Sequence, residues 1–332
     1  MAQNSKIEWT HHTANLWHGC TKVHEGCDNC YAETLAKRWG NDIWGNDKPR
    51  KEIKSVWNEL LKMQKLAKQA GEIHRVFVGS MMDIFEKPMM LQSERVYKLN
   101  TGEIREKFFE QIDKGLYPNL MFLLLTKRPS NINKYIPESW KQTPPENVMF
   151  GTSPVNQQTF ETLVRHLQEV KGKRFLSVEP QLDKITLGNL TGIDWIIQGG
   201  ESGHHKRPFN LEWARSMRDE CQALGVPYFF KQIDKIQQIP DDLLIRNFPT
   251  ETVSSAFCEL TALRNSYKLH DKMKKLLTII IASAVVSGCC NGHNHRSVMQ
   301  GTSVQLTDTP PLLAMCCYTL FVLISCALAK II

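Results

Sequence analysis

This 332-residue sequence predicts an α/β fold built on a partial or complete parallel (β/α) barrel. Three observations lead there. Short β-branched or aliphatic runs recur from residue 73 onward, segments of helical periodicity separate them, and each run ends abruptly in a polar or charged cluster. Strands alternating with helices imply right-handed βαβ crossovers and a parallel sheet. About seven such strands come close to the number that closes an eight-stranded barrel.

A first strand is expected near residues 15–17. The apolar runs then follow at 73–78, closed by Gly-Ser-Met-Met-Asp, at 120–125, closed by Thr-Lys-Arg-Pro, and at 148–150, closed by Gly-Thr-Ser-Pro. Three more lie at 175–178 before Glu-Pro, at 195–197 before Gln-Gly-Gly-Glu-Ser-Gly, and at 228–230 before Lys-Gln. Helices are expected over 53–70, 104–114, 157–171 and 211–224, where apolar residues return with helical spacing. In the last of these, Trp213, Met217 and Cys221 share one face, so Cys221 reads as core.

The polar clusters follow their runs and therefore belong at the C-terminal ends of parallel strands, where such folds assemble their sites. Ser80, Asp83, Lys127, Arg128, Ser153, Glu179, Glu201, Lys231 and Gln232 are expected to converge on one rim. Any one of them alone reads equally well as a solvated strand end or cap. His11 and His12 read as surface residues of the first strand, and the run Lys48-Pro-Arg-Lys51 as a solvated loop or, for a nucleic-acid substrate, a phosphate contact.

Composition excludes other classes. With 42% hydrophobic and 23% charged residues the chain is globular rather than disordered. The surplus of 41 Lys+Arg over 34 Asp+Glu, a net charge of +7, suits nucleotides, nucleic acid or an anionic membrane face without selecting among them. The polar start Met-Ala-Gln-Asn-Ser-Lys carries no secretory signal, so a cytoplasmic location with reduced thiols is expected.

The β/α rhythm stops near residue 235. The expected organisation is a barrel domain over 1–235, a linker over 236–275 and a hydrophobic tail over 276–332. The tail holds apolar runs at 276–290 and 312–329, the second just long enough to span a bilayer. It reads either as a membrane segment or as a fused reading frame with no part in the activity.

The chemistry is concentrated in Asn15-Leu-Trp-His-Gly-Cys20-Thr-Lys-Val-His-Glu-Gly-Cys27-Asp-Asn-Cys30-Tyr-Ala-Glu, whose cysteines are spaced C-x6-C-x2-C. The close pair Cys27 and Cys30 can present both sulfurs to one metal centre. Three thiolates leave one ligand place open. If His18 or His24 fills it, the result is a structural Cys3His zinc site. If an exchangeable small molecule fills it, a [4Fe-4S] cluster on three cysteines has one iron free for chemistry. A zinc ribbon normally brings a second CxxC, which is missing here, so context favours the cluster.

The cysteine segment, together with Gly-Ser-Met-Met-Asp-Ile-Phe, Leu-Thr-Lys-Arg-Pro, Leu-Ser-Val-Glu-Pro, Gly-Gly-Glu-Ser-Gly and Phe-Phe-Lys-Gln, resembles an uncharacterised phage-associated three-cysteine family related to radical S-adenosylmethionine (SAM) enzymes. The likeness covers about residues 6–235. It implies a barrel of the radical-SAM type and a [4Fe-4S] cluster on Cys20, Cys27 and Cys30. It also implies SAM on the open iron, a reductant protein as partner, and hydrogen abstraction from an unknown substrate such as a nucleotide or nucleic acid.

Under that likeness Ser80, Asp83, Lys127, Glu179, Gly199, Gly200 and Glu201 are the candidate SAM contacts. Asp83 or Glu201 would pair with its ammonium, Lys127 or Arg128 with its carboxylate, and Glu179 with the ribose. Gly199 and Gly200 read equally well as a plain glycine turn. The first cysteine interval is three residues longer than the usual C-x3-C-x2-C, a change that a loop tolerates while the CxxC pair keeps its geometry. The alternative function is a zinc-stabilised nucleic-acid-binding protein without catalysis.

Overall fold

The computed structural model describes residues 5–92, 99–203 and 205–249. In chain order the elements are β1 (His12–Ala14), β2 (Trp17–His18), α1 (Tyr31–Arg38), β3 (Lys51–Glu52), α2 (Val56–Ala70), β4 (His74–Val78), α3 (Thr101–Asp113) and β5 (Leu120–Thr126). There follow α4 (Ile132–Tyr135), β6 (Val148–Thr152), α5 (Gln157–Gln168), β7 (Lys173–Val178), β8 (Trp195–Gly199), α6 (Leu211–Leu224) and β9 (Tyr228–Gln232).

Seven strands form one sheet in the order β1-β4-β5-β6-β7-β8-β9, with every neighbouring pair parallel. No pairing joins β9 to β1 among the described residues, so the curled sheet is a half-barrel. The six runs expected from residue 73 onward are all strands of this sheet.

The first strand differs from expectation: it is His12–Ala14, not 15–17. The cause is Asn15, whose Nδ2 donates to Ser80 Oγ (2.8 Å) and whose Oδ1 accepts from Met81 N (2.7 Å). These bonds turn the chain across the end of β4, and Trp17–His18 then pairs antiparallel with β3. Helix boundaries moved for local reasons too. α3 begins early because Asn100 accepts from the Gly102 and Glu103 amides while Glu103 accepts from the Asn100 amide, a capping box.

The period of two along each strand separates two cores. Outward residues such as Val76, Val78, Phe122, Leu124, Leu176, Ile196 and Phe230 pack with apolar faces of the helices, Leu60, Met63, Phe108, Val164 and Met217 among them. Inward residues Phe77, Leu123, Met149, Phe175, Trp195, Ile197 and Phe229 join Trp9 in a second cluster that fills the concave side. Gly151 makes room for it: a Cβ there would lie 2.3 Å from the Phe175 ring. Cys221 is buried in the helical layer as expected.

The N-terminal mouth of the half-barrel is bridged by residues that follow β9. Phe230 N and Asn247 N extend the edge by hydrogen bonds to Ile245 O and to Tyr228 O. Arg246 pairs with Glu8 at 2.9 Å, and Phe248 meets Trp195 at a tilt and Phe229 edge-on beneath the Arg75 guanidinium. Packing thus continues past residue 235. Residues from 250 onward, including both apolar runs of the tail, lie outside the described residues. Among the described residues no helix is long and apolar enough to cross a membrane.

At this same end His12 is buried rather than superficial, being 1% exposed. Its Nε2 lies 2.9 Å from His74 Nδ1, and His11 stacks on His74 at 4.6 Å.

Candidate functional site

The cysteine loop is laid over the C-terminal end of the sheet by a series of backbone constraints. After the Asn15 clamp, Gly19 N bonds Met81 O at 3.0 Å with φ of 112°. A Cβ on Gly19 would lie 2.4 Å from Ile43 O, so glycine is required there by both conformation and space. Cys20 follows directly. Cys27 ends a short 3₁₀ turn capped by His24, and Cys30 is the N-cap of α1.

All three cysteines line one cavity of about 310 Å³ that opens at this end of the half-barrel. Its walls include Ser80, Asp83, Lys127, Arg128, Ser153, Glu179, Gly200, Glu201, Lys231 and Gln232, and its apolar surface includes Trp9 and Phe77 of the inner core. All nine residues expected on the rim line the cavity, whereas Gly199, one of the candidate SAM contacts, does not.

The carboxylates prove to be structural struts. Asp83 Oδ1 accepts from Thr126 Oγ1 (2.7 Å) and Phe85 N (3.0 Å), while Oδ2 accepts from Lys127 N (3.1 Å) and Arg128 Nη1 (2.7 Å). Arg128 in turn donates to Thr21 O (2.6 Å) and approaches Cys20 Sγ at 3.9 Å. Behind it Glu86 receives both Arg50 Nε (2.9 Å) and Arg50 Nη2 (2.7 Å). Arg50 is wholly buried, not solvated, and it also donates to the carbonyls of Ile43, Gly45 and Lys48 and to Thr21 Oγ1. Four charged side chains thus back the Cys20 segment.

Glu201 is the second strut. It accepts from Asn29 Nδ2 (2.9 Å), from Arg207 N (2.8 Å) and Nε (3.1 Å), and at its other oxygen from Arg207 Nη2 (2.7 Å). Arg207 Nη2 also reaches Glu25 O at 3.2 Å. The loop between Cys20 and Cys30 is thereby latched to the end of β8. Burial opposes ionisation of Glu201, but the bonds from Arg207 and Asn29 hold its carboxyl below the usual range.

The remaining candidates divide. Ser80 Oγ accepts from Asn15, leaving its own proton to donate, and Ser80 O accepts from Tyr31 OH at 2.7 Å. Glu179 pairs with Lys231 at 2.8 Å and accepts from Ser177 Oγ at 3.1 Å. Gly199 and Gly200 answer to packing: a Cβ on Gly199 would lie 2.8 Å from Glu179 Oε1, and one on Gly200 would lie 2.1 Å from Ile233 O. The Lys127 ammonium has no hydrogen bond or ion pair among the described residues, and its charge acts on Cys30 and His24.

Two of the thiols, Cys20 and Cys30, have their ionisation opposed by their surroundings. Burial pushes Cys20 up, helped by the Asp83 and Glu86 carboxylates and opposed by Arg128. Burial also raises Cys30, opposed by the Glu33 and Ala32 amides in the first turn of α1 and by Lys127. Arg128 at Cys20, and Lys127 with the helix N-terminus at Cys30, are the groups that favour the thiolate form.

Neither nearby histidine completes a ligand set. His18 stacks on Trp39, and neither His18 nor His24 lines the cavity. His24 is lowered to about 4 by burial and by Lys127 and Arg128, and its Nδ1 accepts from Gly26 N at 3.1 Å. Its proton then sits on the buried Nε2. Among the described residues no group of three His, Cys, Asp or Glu side chains is set closely enough to hold a single metal ion.

The sequence does not mark Asn15, Asn29, Glu86 or Arg207 as functional, and it presents Arg50 only as part of a basic loop. Only Asn29 carried a signal, lying inside the CxxC pair; the others act through long-range contacts.

A family profile matches residues 4–275, most of the chain. The chain belongs to the DUF5131 family, proteins of unknown function. No curated protein and no solved structure matches it. The DUF5131 match takes in every residue of the cavity and stops just before the apolar run at 276. It assigns no activity, and it links the chain neither to radical-SAM enzymes nor to phage.

Proposed function

We propose that this chain is a radical-SAM-like enzyme, with a [4Fe-4S] cluster on Cys20, Cys27 and Cys30 and SAM in the adjoining cavity. One observation carries the reading: three cysteines line the same chamber at the C-terminal end of a parallel half-barrel, while His18 and His24 stay outside it. That arrangement favours an exchangeable fourth ligand over a protein-supplied one. A single zinc ion needs donors gathered within one ~2.3 Å coordination sphere, whereas a cubane spreads its cysteines more widely.

Bound there, the cluster would supply the electron that splits the sulfonium of SAM into methionine and a hydrogen-abstracting 5′-deoxyadenosyl radical. The side chains of this chain do the rest. Lys127, beside Cys30, suits the carboxylate of SAM, and Ser80 offers a hydroxyl proton at the end of β4. Asp83 and Glu201 are already occupied, so in this reading they hold the cysteine loop instead of pairing with the SAM ammonium. Trp9, Phe77 and Leu125 keep the inner wall apolar and water away from the reacting centre.

The test is anaerobic reconstitution followed by metal and sulfide analysis. Wild-type protein is expected to be brown and to release 5′-deoxyadenosine from SAM with a reductant, and Cys27→Ala to lose both properties. Colourless, iron-free protein after reconstitution would overturn the reading. One zinc per chain with steeply salt-dependent nucleic-acid binding would instead support the non-catalytic alternative.

A further inference from the structure

The charges that line the cavity do not balance: besides Lys127 on the side of the thiols, a second ammonium unpaired among the described residues lies across the chamber. Asp83 is matched by Arg128, Glu201 by Arg207, and Lys22 by Glu33 at 3.1 Å. On the side formed by β7 and β9, however, the single carboxylate of Glu179 faces two ammonium groups. Lys231 pairs with it at 2.8 Å, and Lys235, also on the cavity wall, has no hydrogen bond or ion pair among the described residues.

The backbone holds Lys235 there at a cost. It is the one residue other than glycine with a positive φ, 69°, among the described residues. A long side chain in the left-handed region is strained, and such strain persists only where neighbours over-determine it. Here Asp234 does so: its Oδ1 accepts from Ile236 N (2.8 Å) and Gln237 N (2.7 Å), and its Oδ2 pairs with Lys206 (2.9 Å). Lys235 is exposed at the rim; partial desolvation and the neighbouring Lys231 lower its ammonium, with Glu179 acting in the opposite sense. An uncompensated cation is thus presented at the mouth of a chamber whose wall is largely apolar.

We propose that Lys235 and Lys231 form an oxyanion subsite, so that the molecule acted on in this cavity carries a phosphate or carboxylate that docks on the β7–β9 side. The proposal deepens the reading above by naming the substrate class. It separates from that reading because anion binding needs no iron. Lys127, on the side of the thiols, remains for SAM. Glu179 tethers Lys231 and keeps the two ammonium groups from repelling each other when no anion is bound.

The subsite can be tested on the full-length, iron-free protein by calorimetric titration at low salt with pyrophosphate, acetate and a short single-stranded oligonucleotide. Pyrophosphate or acetate is expected to bind, with affinity falling as salt rises. Lys235→Gln should weaken binding by about tenfold or more. Lys62→Gln, on the exposed face of α2, should leave it unchanged. Lys235→Gly keeps the question answerable if the glutamine variant folds poorly, because glycine accepts the positive φ. It should melt no lower than wild type and still lose the anion.

Oligonucleotide binding lost with Lys235 would make the phosphate a nucleic-acid one, and binding of the small anions alone would make the substrate a small acid. Absence of anion binding by wild type, or equal binding by wild type and both Lys235 variants, would overturn the subsite whatever the iron content proves to be.

Discussion

The two ends of the half-barrel are built from the same strands and have opposite chemistry. Toward the N-terminal end, inward positions are Phe175, Trp195 and Phe229, joined by Phe248 into an aromatic plug that Trp9 and Phe77 connect to the cavity wall. A few residues further along the same strands, inward positions become Ser153, Ser177, Glu179 and Lys231, and the space between them stays open. One end supplies cohesion and the other, in the proposed reading, chemistry, a division that parallel β/α folds permit because loops at the C-terminal edge vary without disturbing the strands.

The comparison is broken most severely by truncating the plug. Trp195→Ala is expected to cost about 3–5 kcal/mol of stability, read from denaturant unfolding. Cys27→Ala, by contrast, should leave the apoprotein within roughly 0.5 kcal/mol of wild type while abolishing cluster loading. If the two effects were similar, the separation of roles along the strands would fail.

Arg50 sharpens the comparison, since it is a stability element placed at the chemical end. Arg50→Ala strands the buried Glu86 carboxylate and should cost about 3–5 kcal/mol. The same substitution should loosen the Cys20 segment, detectable as faster alkylation of the Cys20 thiol in the folded apoprotein.

The latch at Glu201 is a smaller matter. Glu201→Gln keeps the shape but loses the bidentate charge pair with Arg207, so a loss of about 1–3 kcal/mol is expected. Proteolysis between Cys20 and Cys30 should rise accordingly.

The plugged end also has a modest acid sensitivity. Burial, aided by Arg75, His74 and His12, lowers His11 to about 4, and burial with His74 does the same to His12. The unfolded chain, with ordinary histidines near 6.5, therefore binds protons before the folded chain does. This contribution is intact above about pH 6.5 and is lost as pH falls toward about 4. His12→Asn should flatten that slope in unfolding curves measured across the interval.

Much of this architecture was legible before any coordinates. The runs at 73–78, 120–125, 148–150, 175–178, 195–197 and 228–230 became strands because they are too short for buried helices, rich in β-branched, aliphatic or aromatic residues and bounded by turn chemistry. The polar groups after them reached the rim for the same reason, since direction is uniform in a parallel sheet. Asn15 escaped notice because its side chain competes with the backbone for partners 65 residues away, which no local pattern encodes. Arg50 likewise looked like part of a basic loop, and its burial depends on Glu86 and on carbonyls that only the folded chain assembles.

By itself the sequence determined the periodicities, the order of strands and the clustering of three thiols with a set of strand-end polar residues, since these depend on neighbours along the chain. Tertiary structure alone decided what each polar group is free to do. Asp83 and Glu201 were turned into struts and Lys235 was left uncompensated, because a charge is spent or available according to which opposite charge packs within hydrogen-bonding distance.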